Sequence, residues 1–176
     1  MSSEQLTDGR ALVDATEQRV SRPSDNETRK QYSSGKNKTF TLKTQLVPDG
    51  DHHIVAISTA VPGVMHDKKL SDEVRTLERL PEGCEVDADK GYQCLAEQVS
   101  LVTVRNLETG VEQQEAFNQQ LAAIRVRVEH CIGWAKNWAI LAIRFRCAHS
   151  IYTSVMQTTC GLVNKQTQRW QAARIC

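Results

Sequence analysis

The sequence predicts a mixed α/β domain, a sheet flanked by helices, on three observations. Short apolar and β-branched runs closed by turn residues fill its N-terminal part. Apolar residues at steps of three and four mark helices in its C-terminal part. One more short strand-like run lies between them, so the order is several antiparallel strands, a helix, a further strand, then two or more helices.

Residues 1–10 read as a disordered start, and residues 11–176 as one domain. Ala11-Leu12-Val13 is a short apolar run ending at Asp14. Residues 21–38, rich in Ser, Asn, Gly, Lys and Arg with one Pro, read as an exposed basic loop. Phe40, Leu42, Leu46 and Val47 alternate weakly with polar residues and suggest a second strand. Pro48-Asp49-Gly50-Asp51 is a turn signal, and Ile54-Val55-Ala56-Ile57 a third strand.

After Pro62-Gly63 and His66-Asp67, the spacing of Leu70, Val74 and Leu77 predicts a helix that Pro81-Glu82-Gly83 ends. A fourth strand over Cys84 to Ala88 runs into Asp89-Lys90-Gly91-Tyr92, and residues 93–110 give no clear pattern. Thr109 and Glu112 have the spacing of a capping box. Phe117, Leu121, Ile124, Val128, Ile132 and Ala135 then form one apolar helical stripe. Leu141 to Phe145 reads as a strand or a linker. A last helix is expected from near Ser150, with Ile151, Val155 and Leu162 facing the core. This order is compatible with the ribonuclease-H-like fold, although the pattern alone does not single it out.

A chain of 176 residues with 40% hydrophobic and 24% charged residues is long enough to bury a sizeable core. It contains no run of the roughly 20 apolar residues that a membrane span requires. The polar, acidic opening is not a secretory signal, so the expectation is a cytoplasmic protein with no membrane partner. Net charge is only +1, but Arg19, Arg22, Arg29, Lys30, Lys36, Lys38 and Lys43 cluster against Asp25 and Glu27 alone. Such a stretch is a solvated loop or a local footprint for nucleic acid. The six cysteines include no Cys-x-x-Cys pair and read as reduced thiols, most of them core residues. His130, Cys131, Cys147 and His149 fit none of the common zinc spacings.

Candidate chemistry rests on carboxylates. On the long helix, Asn118, Arg125, Glu129 and Lys136 stack beside the apolar stripe. A carboxylate there can face a cleft while its helix stays anchored, and a lysine seven residues on can reach a phosphate. Periodicity alone favours the plainer reading, a polar margin with an Arg125–Glu129 ion pair. Asp is disfavoured in strands, so Asp14 and Asp89 each need a reason: a turn, a cap or a metal. Asp87 competes with Asp89, because alternation puts both on one face of a strand. Phosphoryl transfer gives three such carboxylates a use. Magnesium prefers hard oxygen ligands, and two ions about 4 Å apart clamp the attacking and leaving oxygens.

Seven segments, in order, carry a family resemblance: Val13-Asp14-Ala15-Thr16-Glu17, Tyr32 to Lys38, Pro62 to Lys68, Ala88 to Gln93, Phe117-Asn118, Arg125 to His130 and Gly161 to Asn164. Each is weak alone; the ordered set resembles the DDE transposases of bacterial insertion sequences, related to the Harbinger-like endonuclease group. The resemblance implies a ribonuclease-H-like catalytic domain in which Asp14, Asp89 and Glu129 bind two magnesium or manganese ions. Water activated there would cut a strand at the element end, and the freed 3′-hydroxyl would attack target DNA. His66 and Asp67 match a family motif and take an auxiliary role. Lys36, Lys38, Arg125 and Lys136 are candidates for contacts to backbone phosphates. The partners implied are DNA, as element ends and target, and further copies of the chain, in a nucleoid-associated protein.

Two departures stand out. Such transposases usually carry an N-terminal helix-turn-helix, yet the first candidate Asp is already at position 14. The expectation is a separately encoded helix-turn-helix half or a truncated remnant; the alternative function is therefore an inactive relic that at most binds DNA. The segment Gln98 to Glu108 also lacks the proline and lysines expected there.

Overall fold

In a computed structural model, β1 (Arg10–Arg19) and β3 (Thr39–Pro48) pair antiparallel from Asp14↔Leu46 to Arg19↔Thr41. The structure describes residues 9–66, 69, 70, 76, 80, 84–88, 103–106 and 126–175. Helix α1 (Asn26–Tyr32) and the short β2 (Ser33–Ser34) lie between the two long strands. β4 (Ile54–Ile57) and β5 (Val61–Pro62) both pair antiparallel with β3. β6 (Glu85–Ala88) pairs parallel with β1, and β7 (Thr103–Asn106) parallel with β6. The seven-stranded order is β2-β3-β1-β6-β7, with β4 and β5 off that path on β3. An antiparallel half joined through β1 to a parallel half, flanked by helices, is the ribonuclease-H-like fold that the family resemblance implies.

The described helices after the sheet are α2 (residues 126–136), α3 (Ala139–Ala142) and α4 (Tyr152–Ile175), the last preceded by a 3-10 turn at His149–Ile151. Residues opposite each other on paired strands project from the same face, and successive residues alternate. Asp14, Thr16, Gln18 and Val20 therefore share a face with Leu42 and Leu46. On that face Val20, Leu42 and Leu46 pack with Cys131 and Ala135 of α2, Leu141 of α3, and Tyr152, Met156, Cys160 and Val163 of α4. A second cluster on the other face joins Ala11, Val13, Val47, Cys84 and Val86.

Several expectations are corrected. β1 runs five residues past Asp14, which stands inside the strand rather than at its end. The expected basic loop holds a helix: Asp25 caps α1, its Oδ1 accepting the Thr28 N–H at 2.8 Å. α1 buries no residue, so no apolar rhythm announced it. Leu141 lies in the short helix α3, and Phe145 forms an isolated parallel bridge to Val20. On α4, Ile151 and Leu162 are exposed, just before and within the helix, while Tyr152, Met156, Cys160 and Val163 face the core. Thr159, Asn164 and Thr167 are buried beside them, and these polar residues hide the stripe. β7 falls in the stretch that showed no pattern. The 109–112 capping box and the stripe residues Phe117 to Ile124 lie outside the described residues.

Candidate active site

β6 pairs with β1 only as far as Ala88↔Val13. Among the described residues, the next neighbour on that edge is Phe145, whose N–H donates to the Arg19 carbonyl at 2.8 Å. Between these two points a cleft of about 880 Å³ borders β1 from Asp14 to Arg19. The polar residues of β1 from Asp14 to Arg19 all line this cleft, although Thr16 and Gln18 are buried.

The far walls come from three places. Ser34 to Asn37 form the turn after α1, Gly63 to His66 follow β5, and Ile132, Lys136 and Leu141 to Arg144 close the helical side. Gln18 Nε2 donates to the Ile143 carbonyl and ties β1 to that side. The lining includes the cations Arg19, Lys36, Lys43, Lys136 and Arg144 against the carboxylates Asp14 and Glu17. A concave surface with that excess of positive charge favours a polyanion.

The cleft brings together four residues predicted from sequence, Asp14, Lys36, His66 and Lys136. Asp14 Oδ1 accepts the Ala15 N–H at 2.7 Å, which fixes its carboxylate against the strand. Lys136 is exposed, yet desolvation by the cleft wall lowers its pKa; Glu17 and Asp14 oppose that shift, and Lys36 adds to it. Lys136 is thus electrostatically linked to both walls. Lys38, in the left-handed region with φ 48°, closes the turn but does not line the cleft. Glu129 is exposed on α2 and is also not a lining residue. Asp89, Asp67 and Arg125 lie outside the described residues. Asp87 has a described backbone, paired with Leu12.

Sequence reasoning assigned no role to Glu17, although it stands in the quoted Val13-to-Glu17 run. Its Oε2 accepts from Asn37 Nδ2 and from Thr41 Oγ1, each at 2.8 Å. Its Oε1 lies 3.7 Å from Lys43 Nζ, with both side chains 11% exposed. Burial alone would raise the Glu17 pKa. Hydrogen bonds from Ser34, Asn37 and Thr41 and the Lys43 charge outweigh it, and the net shift is downward. Lys43 Nζ also donates to the Met65 carbonyl at 2.7 Å.

The donor chemistry of Asp14 suits a hard divalent cation. Among the described residues, no group of three His, Cys, Asp or Glu side chains stands together to hold one. Among the described residues, Cys84, Cys131, Cys147 and Cys160 form no disulfide; Cys147 is exposed and the other three are buried. No described helix is long and apolar enough to cross a membrane.

The chain is 29% identical over 160 residues to the probable transposase for insertion sequence element IS702 of Microchaete diplosiphon, covering 87% of this chain and 55% of that protein. The chain therefore spans about half the length of that relative. No solved structure matches it. The family model described as DDE superfamily endonuclease matches residues 13–164, most of the chain, and the chain belongs to that family.

Proposed function

We propose that residues 11–176 form the catalytic domain of an insertion-sequence transposase, which cuts DNA and joins the freed 3′ end to a target in a divalent-metal-dependent reaction. The observation that carries this reading is the position of Asp14. It stands on the helix-packed face of β1, on a cation-rich cleft, one residue beyond the end of the β1–β6 ladder.

Asp14, Asp89 and Glu129 would hold magnesium or manganese, two ions in all. Asp89 follows Ala88, the register partner of Val13, whereas Asp87 pairs further back with Leu12. That register favours Asp89 over Asp87. Glu129 joins this set on the family resemblance; it stands exposed on α2, seven residues before Lys136 of the cleft wall.

When bound, the metal supplies Lewis-acid stabilisation of charge at the scissile phosphate. The side chains orient the DNA. Lys36 and Lys136 contact backbone phosphates from opposite walls, with Lys38 and Arg125 as outer contacts. His66 orders the reacting strand, and Asp67 assists it. The partners in this reading are element ends and target DNA, and further copies of the chain. Such a protein would be nucleoid-associated.

The test is nicking of supercoiled plasmid in manganese by wild type and Asp89→Asn, with duplex binding measured in parallel. Loss of nicking with binding intact supports the reading. Equal nicking by both proteins refutes the site. Joined products, absent from a purely hydrolytic nuclease, decide whether strand transfer occurs.

A further inference from the structure

We propose that Glu17 is a positioning residue that holds the turn presenting Lys36 to a DNA phosphate; this rests on the reading of the cleft as a DNA site. Asp14 and Glu17 project from opposite faces of β1, so Glu17 cannot simply extend the carboxylate set on the Asp14 side. Its bonds run instead to the cleft's second wall. One oxygen, Oε2, accepts from Asn37 and from Thr41, each at 2.8 Å. Asn37 is the residue after Lys36, and its backbone N–H donates to Ser34 Oγ at 3.1 Å. The turn is thus pinned at its centre by Glu17 and at its start by Ser34.

The other oxygen faces Lys43, which reaches on to the Met65 carbonyl. Beside it, the Gly63 N–H donates to the Thr41 carbonyl at 2.9 Å. One carboxylate therefore joins the basic turn to the segment that ends at His66. A buried ion pair is weak support for stability alone, because apolar residues would serve as well at lower desolvation cost. What it supplies here is fixed geometry between two loops, which two apolar side chains would not direct.

A purely structural pair would lower stability without touching the contribution of Lys36. A positioning residue acts through Lys36 and must be non-additive with it. The experiment is the salt dependence of binding to a labelled DNA duplex by the whole chain, for wild type, Lys36→Ala, Glu17→Ala and the double variant. Asn37→Ala severs only the turn and stands in should Glu17→Ala fail to fold.

Lys36→Ala should reduce the slope of log K against log salt by about one phosphate contact. Glu17→Ala, or Asn37→Ala, should reduce it equally, and combination with Lys36→Ala should add nothing. Glu17→Gln, which still accepts from Asn37 and Thr41, should restore most of the slope. Full additivity, or an unchanged slope in both Glu17→Ala and Asn37→Ala, overturns the proposal while leaving the DNA site standing. No effect of Lys36→Ala, or no salt-dependent binding by wild type, overturns the underlying reading and the proposal with it.

Discussion

Asn164 and Ile54, 110 positions apart, exchange two hydrogen bonds: the Ile54 N–H donates to Asn164 Oδ1 at 2.8 Å, and Asn164 Nδ2 donates to the Ile54 carbonyl at 2.9 Å. The side-chain amide of α4 thus acts as a strand partner for the first residue of β4. Both residues are buried, so water offers no replacement. Asn164→Ala leaves a buried N–H and carbonyl unpaired, which should cost about 3 kcal/mol. Urea unfolding checks this; a loss below about 1 kcal/mol would mean that the pair is replaceable.

Gly63, three residues before His66, is a close-approach point against Thr41 of β3. A Cβ built there would meet the Thr41 carbonyl oxygen at 2.9 Å and Thr41 Oγ1 closer still. The Thr41 side chain can rotate, but its backbone cannot move without disturbing β3. Gly63→Ala should therefore cost about 2 kcal/mol by overpacking. Thr41→Ala should not rescue it, because the carbonyl clash remains; thermal melts of the single and double variants decide the point.

Glu17 should couple stability to pH. Its folded pKa lies below the ordinary 4.5, so its contribution is fully present above that value. It is lost as pH falls from 4.5 through the lowered folded value, where the unfolded chain takes up the proton first. The stability gap between wild type and Glu17→Gln should narrow across that window. A gap constant with pH would show that the carboxylate is not held as a charge.

Thiol chemistry offers an independent check on the core. Burial pushes the thiols of Cys131 and Cys160 up to about 12, so almost no thiolate exists at neutral pH. Cys147 is exposed. Iodoacetamide mapped by mass spectrometry should label Cys147 rapidly and spare Cys131 and Cys160 until the chain unfolds. Equal labelling of all three in native buffer would contradict the packing of α2 and α4 on the sheet.

What the sequence revealed depended on whether burial left a simple rhythm. β4 is a run of apolar residues at a covered sheet and was legible at once. β1 was cut short because Asp14 looks like a strand end. The strand continues because β3 pairs with it from Asp14 to Arg19, while its other edge borders the polar cleft. α1 shows no stripe because it buries nothing; its visible signal is the Asp25 cap. α4 mixes Thr159, Asn164 and Thr167 into its buried face, so the exposed Ile151 and Leu162 misled the facing. Asp14, Lys36, His66 and Lys136 were legible as candidates and share the cleft. Glu17 was not, because its role comes from cross-strand and turn contacts that no local spacing encodes.

In the proposed function, Asp14, Asp89 and Glu129 act as one metal-holding set in DNA cleavage. The most direct measurement is the rate of supercoiled-plasmid nicking in manganese by wild type, Asp14→Asn, Asp89→Asn and Glu129→Gln, with chelator controls and duplex binding for each. The account predicts nicking by wild type alone, abolished by chelator, with binding retained in all four proteins. Equal nicking by any of the variants, or no nicking by wild type, would contradict it.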